Sequence, residues 1–224
     1  MQLLGDGLSG VLPMKYIYNI INIMARYSSE HKAATRKKIL HAADQIMKAR
    51  GVDAATVDAV MREAGLTVGG FYAHFPSKEA LARESLLHGL EGNVERMLAA
   101  LAPITDRAQW VRALIGHYLA QVDDPALEHA CPMTLLLPDV ARGDRELQNA
   151  FAERTGALLD RIAAHFPEVP GMSRREAALA VYTSCVGAVT VARAVAAPEA
   201  RQRIVRVTER MLLTSLGIVG NAGA

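Results

Sequence analysis

From Thr35 onward apolar residues recur at every third or fourth position, and no apolar–polar alternation of the strand kind survives anywhere. A chain with that single period is expected to be all-helical, and its interruptions mark the helix ends. Gly51, Gly65 and Pro76 punctuate the first part, while "APITD", "DDPALEHACP", "ARGD", "FPEVPGMS" and "AAP" punctuate the rest. The first helix is expected to start at Thr35 as N-cap, to bury Ile39, Ala43, Ile46 and Met47, and to stop at Gly51 after about four turns. Thr56 caps a short second helix with Val57, Val60, Met61 and Ala64 on one face, ended by Gly65. Thr67 then opens a third helix that reaches Phe75, and Ser77 caps a long fourth one carrying Leu81, Leu87, Leu90, Val94, Met97 and Leu101. Further helices are expected over 105–123, 133–141, 144–166, 173–196 and 199–217, the fourth of these announced by the capping-box pair Ser173 and Glu176.

Composition narrows what such a chain does. Of 224 residues, 51% are hydrophobic, enough for a helical core. The formal net charge is only +2, so any attraction to a polyanion has to come from a local basic patch. The two cysteines, Cys131 and Cys185, make no CxxC pair or Cys/His cluster, so neither a disulfide framework nor a metal site is expected. No phosphate loop or nucleophile elbow is present either, and the expectation is a protein without cofactor or catalysis.

Residues 1–30 read as an N-terminal extension. The apolar stretch from Tyr16 to Met24 is too short to span a bilayer, and Asn19, Asn22 and Arg26 interrupt it. Met24 is the expected translation start and the cytoplasm the expected location. A membrane-attached protein using residues 11–24 is a competing reading.

Two short helices joined by a glycine-bearing turn form a helix-turn-helix, a unit that lays its second helix in the major groove of DNA. Here the residues are Thr56, Ala59, Ala64-Gly65-Leu66, Gly69, Phe71-Tyr72, His74-Phe75, Ser77-Lys78-Glu79 and Leu81. In that order and spacing they resemble the N-terminal domain of the TetR family of bacterial transcriptional repressors. The resemblance runs from Thr35 to about Leu87. It implies a three-helix DNA-binding domain over 31–77 followed by a larger helical bundle over 78–224 that binds a ligand and dimerises.

The residues support a DNA partner in their own right. Lys32, Arg36, Lys37 and Lys38 gather at the start of the first helix, where cations neutralise phosphates and release counterions. Tyr72, His74 and Lys78 are suited to donate to phosphate oxygens. Phe71 and Phe75 read as core, packed against Ile39, Ala43 and Leu81.

Gly69 and Gly70 weaken a helix barely two turns long by about 1 kcal/mol each. The family usually keeps a glycine at the position of Gly69, which implies close approach to the DNA backbone. Val68 and Gly70 depart from the family's usual residues and leave few polar groups to read bases. Thr67 and Val68 are then expected at thymine methyls, with Thr56, Arg62 or DNA shape supplying the remaining specificity.

The resemblance further implies a homodimer that spaces two recognition helices about 34–36 Å apart. Its expected surface is the last two helices, with small residues at Ala177, Ala178, Ala180, Ser184, Gly187, Ala188 and Ala192. Ile204, Val205, Met211, Leu212 and Leu216 form the apolar stripe of the final helix. It also implies a small-molecule cavity, for which Trp110, His117, Tyr118, Cys131, Met133, Leu136, Phe151 and Tyr182 are candidates. The resulting expectation is a repressor released from a pseudo-palindromic operator by a ligand. Two alternatives stay open: a helical carrier of apolar molecules with a vestigial DNA-binding unit, and a repressor sensing oxidants or electrophiles through Cys131, its pKa lowered by His129.

Overall fold

In the computed structural model the backbone is described for residues 14–123 and 131–218, and side chains for residues 30–123 and 131–218. Residues 1–13 of the expected extension, and His129, lie outside the described residues. The chain folds into α1 (Met14–Arg50), α2 (Val57–Glu63), α3 (Lys78–Leu101), α4 (Arg107–Leu119), α5 (Pro132–Arg142), α6 (Arg145–Ala163), α7 (Arg174–Arg193) and α8 (Pro198–Ser215). No strand is found among the described residues; Val169 and Met172 make an isolated bridge.

The first helix departs from expectation. Thr35 is not an N-cap but lies inside a helix of 37 residues. The reason is local: no glycine or proline stands between Met14 and Arg50, so nothing stops the helix short of Gly51. Elsewhere the breakers act as expected. Thr56 accepts from the Ala59 N–H at 3.2 Å, Ser77 from Ala80 at 3.1 Å, and Asp106 and Asp144 cap α4 and α6 in the same way. Ser173 and Glu176 form the anticipated capping box on α7.

At the end of α2 the Leu66 N–H donates to the Met61 carbonyl at 2.8 Å and Gly65 to Arg62 at 3.1 Å, the two bonds of a Schellman ending. Gly65 has φ of 68°, a conformation that costs a side-chain-bearing residue and costs glycine nothing. The turn re-aims the chain, and Val68–Ala73 follows as a 3₁₀ helix rather than the expected α-helix. Thr67 makes no side-chain cap there, and the two glycines withhold the propensity that a third α-helix needs.

Phe71 and Phe75 are fully buried in one core with Ile39, Ala43, Met61 and Leu81. That core continues into the bundle, where α3 packs on α1 and α6, and α7 lies against α4, α5, α6 and α8. α3 comes close to α1 at Gly89, where a Cβ would sit 2.7 Å from Asp44 Oδ1. One turn along α1, Lys48 is buried and pairs with Asp44 at 2.7 Å.

Candidate nucleic-acid interface and ligand cavity

The Schellman turn at Gly65 and the Ser77 cap of α3 bracket the 3₁₀ segment, and its outer face is open. Val68 is 43% and Tyr72 70% exposed, Thr67 and Gly69 are also exposed, and Phe71 points into the core with its ring edge-on to Tyr72 at 5.1 Å. A Cβ on Gly69 would meet no protein atom within 4 Å, and one on Gly70 would reach only Met61 Cε at 3.8 Å. The folded chain therefore requires glycine at neither position.

Around this segment the cations are of two kinds. Lys32, Lys37 and Lys38 stand exposed on α1. Arg36, by contrast, forms a two-pronged ion pair with Glu84 of α3, and its guanidinium lies 4.3 Å from the centre of the Phe75 ring. Lys78 donates to the Asp53 carbonyl at 3.2 Å, bracing α3 against the turn before α2. His74 is half-buried, its Nδ1 is sequestered without a hydrogen-bond partner, and burial followed by the charges of Lys32 and Arg36 lowers its pKa. Thr56 is occupied as a cap but exposed, as is Arg62. The structure thus brings Lys32, Arg36 and His74 together at the edge of the segment, and sets Lys78 at its far side as the first residue of α3.

Inside the bundle is a small cavity of about 40 Å³. Tyr118, Cys131, Met133 and Tyr182 line it, as expected. Trp110, His117, Leu136 and Phe151 do not. Trp110 sits two turns before Tyr118 on α4 and stacks on His165, ring centres 4.0 Å apart. His117 is turned out to solvent, Leu136 is in the packed core, and Phe151 packs two turns before Leu158, which does reach the cavity. The periodicity did not single out Leu90, Val94 and Met97 of α3, Ile162 of α6, or Val181 and Cys185 of α7 as lining. Their apolar spacing marks them as core, and nothing local distinguishes a core residue beside a void.

The lining is uncharged. Burial, and then the neighbouring Cys131, raises the Tyr118 pKa; Tyr182 is raised for the same two reasons, and burial pushes the Cys185 thiol up to about 12. Cys131 itself is buried and its pKa is raised, burial outweighing the nearby Lys48 and the hydrogen bonds that favour a thiolate. Among the described residues burial raises the pKa of this thiol rather than lowering it, while His129, the expected cause of lowering, lies outside them.

A short segment laid across a capped helix, open outward and edged with cations, places the chain among the all-helical helix-turn-helix proteins. Comparison with known proteins narrows that class. Residues 39–84 match the family model described as bacterial regulatory proteins, tetR family. It is similar to the HTH-type transcriptional regulator SrpR of Pseudomonas putida, 42% identical over 25% of this chain and 26% of SrpR. It is also similar to the HTH-type transcriptional repressor KstR2 of Mycolicibacterium smegmatis, 29% identical over 53% of this chain and 56% of KstR2. The chain thus spans about a quarter to a half of the length of these relatives. Among solved structures, reduced NemR of E. coli matches 79% of this chain and 96% of its own with a TM-score of 0.66 at 19% identity, a likeness of fold. No helix among the described residues is long and apolar enough to cross a membrane.

Proposed function

We propose that the chain is a homodimeric DNA-binding transcriptional repressor, released from a pseudo-palindromic operator when a small molecule enters the bundle. The observation that carries this reading is Gly69. It is exposed, has an ordinary negative φ, and has no neighbour that a methyl group would touch, so its cost to the segment has no return within the folded chain. A closely approaching DNA backbone supplies the reason. In this reading Lys32, Lys37, Tyr72, His74 and Lys78 hold phosphates, and Thr56, Thr67 and Val68 face the bases. Residues 31–77 form the DNA-binding domain and 78–224 the ligand-binding and dimerisation domain.

Dimerisation through α7 and α8 rests on the outward stripe Leu179, Thr183, Gly187 and Val191 of α7 and on Val207 and Met211 of α8, all exposed. This refines the surface expected from sequence, because Ala177, Ala178, Ala188, Ala192 and Leu212 are buried in this chain's own core. Coupling to the ligand runs through α3. Its 24 residues span about 36 Å, and about 29 Å of that separates Lys78 beside the recognition segment from Met97 at the cavity. A ligand that favours the conformation with displaced recognition segments depopulates the DNA-competent one.

The test is selection of genomic fragments by purified protein at near-physiological salt, followed by footprinting of the best fragment. A protected pseudo-palindrome next to a promoter is the expected result. Weak binding without sequence preference would replace this reading with the helical carrier of apolar molecules.

A further inference from the structure

Tyr118 is only 6% exposed, lines the central cavity, and its hydroxyl has no partner besides the neighbouring Cys131 thiol. Buried polar groups are nearly always well satisfied, so a hydroxyl left with only a thiol beside a void is a directional cue. A phenol is a strong donor, while the cysteine thiol beside it is a weak partner in either direction. No Asp, Glu, Lys, Arg or His contributes to the lining, so a buried carboxylate or ammonium would find no counter-charge there.

The void of about 40 Å³ has room for little more than a water-sized group. Beyond it lies a second cavity of about 100 Å³ between α3 and α6, and the two share a wall made by Leu90, Val94, Leu158 and Tyr182. Two ion pairs close the outer seam, Arg154 with Glu91 at 3.4 Å and Arg161 with Glu95 at 2.8 Å. Anything larger than water that reaches Tyr118 by this path has to push Tyr182 and Leu158 aside and part α3 from α6.

We propose that the cavity takes an elongated, uncharged, largely apolar small molecule whose single hydrogen-bond acceptor, of the ketone or ester carbonyl type, receives the Tyr118 hydroxyl while its chain wedges α3 from α6. This rests on the reading of the cavity as the ligand site, but not on the reading of the DNA-binding face. The acceptor gives the Tyr118 hydroxyl a better partner than the Cys131 thiol, and the apolar chain replaces the contacts of the displaced wall. Because α3 also carries Lys78, parting it from α6 disturbs the footing of the recognition segment.

The experiment is calorimetric titration of the full chain and of Tyr118→Phe with methyl heptyl ketone, nonanoate and nonyltrimethylammonium near neutral pH, with melting temperatures of both free proteins. The ketone is expected to bind wild type about tenfold more tightly than either ion, and Tyr118→Phe to lose about threefold to tenfold of the ketone affinity alone. Free Tyr118→Phe is expected to melt near wild type, within about 1 kcal/mol in stability, since the hydroxyl it loses has only a weak thiol partner. Equal or tighter binding of an ion, ketone binding indifferent to the substitution, absence of binding by all three probes, or a melting temperature lowered by more than that would each overturn the proposal. Operator binding is measured separately on the same wild-type protein, so a ketone site without sequence-specific DNA binding would sink the repressor reading and leave this one standing.

Discussion

The recognition unit and the bundle behind it arrange the same materials inside out. Around α2 and the 3₁₀ segment, the aromatic core of Phe71 and Phe75 is closed, and the distinctive groups, Val68, Gly69 and Tyr72, look outward. Around α3, α4 and α6 the outside is ordinary solvated helix, and the distinctive groups of the bundle's interior, Tyr118, Cys131 and Tyr182, look into a void. A surface that docks on a rigid duplex gains from being preformed. In the proposed reading the interior site has to open, and the small void with the wall it shares with its neighbour is the closed state of that site.

The sharpest way to break this comparison is to remove the core that holds the outer surface. Phe71→Ala should cost about 3–5 kcal/mol, measured by urea unfolding, and should abolish DNA binding with it. A loss under about 1 kcal/mol would mean that the recognition segment is not held from beneath. Next comes Glu84→Gln, which frees the Arg36 guanidinium. Non-specific DNA binding should tighten, and the slope of log affinity against log salt should steepen by about 0.9, the value of one added phosphate contact.

Smaller effects separate the two glycines. Gly69→Ala should stabilise the free protein by up to about 1 kcal/mol yet weaken operator binding, whereas Gly70→Ala should stabilise to a similar extent and leave affinity nearly unchanged. Paired melting and anisotropy measurements decide it, and equal affinities for the two variants would remove the argument from close approach. The smallest effect concerns acid. His74 is held below its ordinary value of 6.5 in the folded chain by burial and by Lys32 and Arg36, so the unfolded chain takes the proton more readily. Its contribution to stability is present above about pH 6.5 and is lost as pH falls through the lowered value. Wild type should therefore lose more stability than His74→Gln between neutral and mildly acidic pH; parallel curves would contradict this.

What was legible in the sequence follows the same division. The caps Thr56, Ser77 and Ser173 and the Schellman glycine Gly65 act within a few residues of themselves, and a local signal can be read locally. The start of α1 was missed because Thr35 has the chemistry of a cap, but the residues before it also support a helix. Arg36 looked free because its partner Glu84 is 48 residues away. The cavity lining is assembled from α3, α4, α6, α7 and the start of α5, so Tyr118, Cys131, Met133 and Tyr182 line the void while Trp110, His117, Leu136 and Phe151 lie away from it. Whether a residue packs against a neighbour or against a void depends on helix crossing positions, which periodicity does not encode.

The Arg36–Glu84 pair has a further consequence for how such a protein would search a chromosome. A permanently free arginine would strengthen attachment to every stretch of duplex, relevant or not, and lengthen each unproductive stop. A carboxylate that must first be displaced taxes all of these stops and leaves the closely fitted one to compensate through contacts that random sequence cannot offer. One acidic side chain on α3 thereby loosens the hold on duplex of any sequence, and the contacts particular to the operator have to restore it.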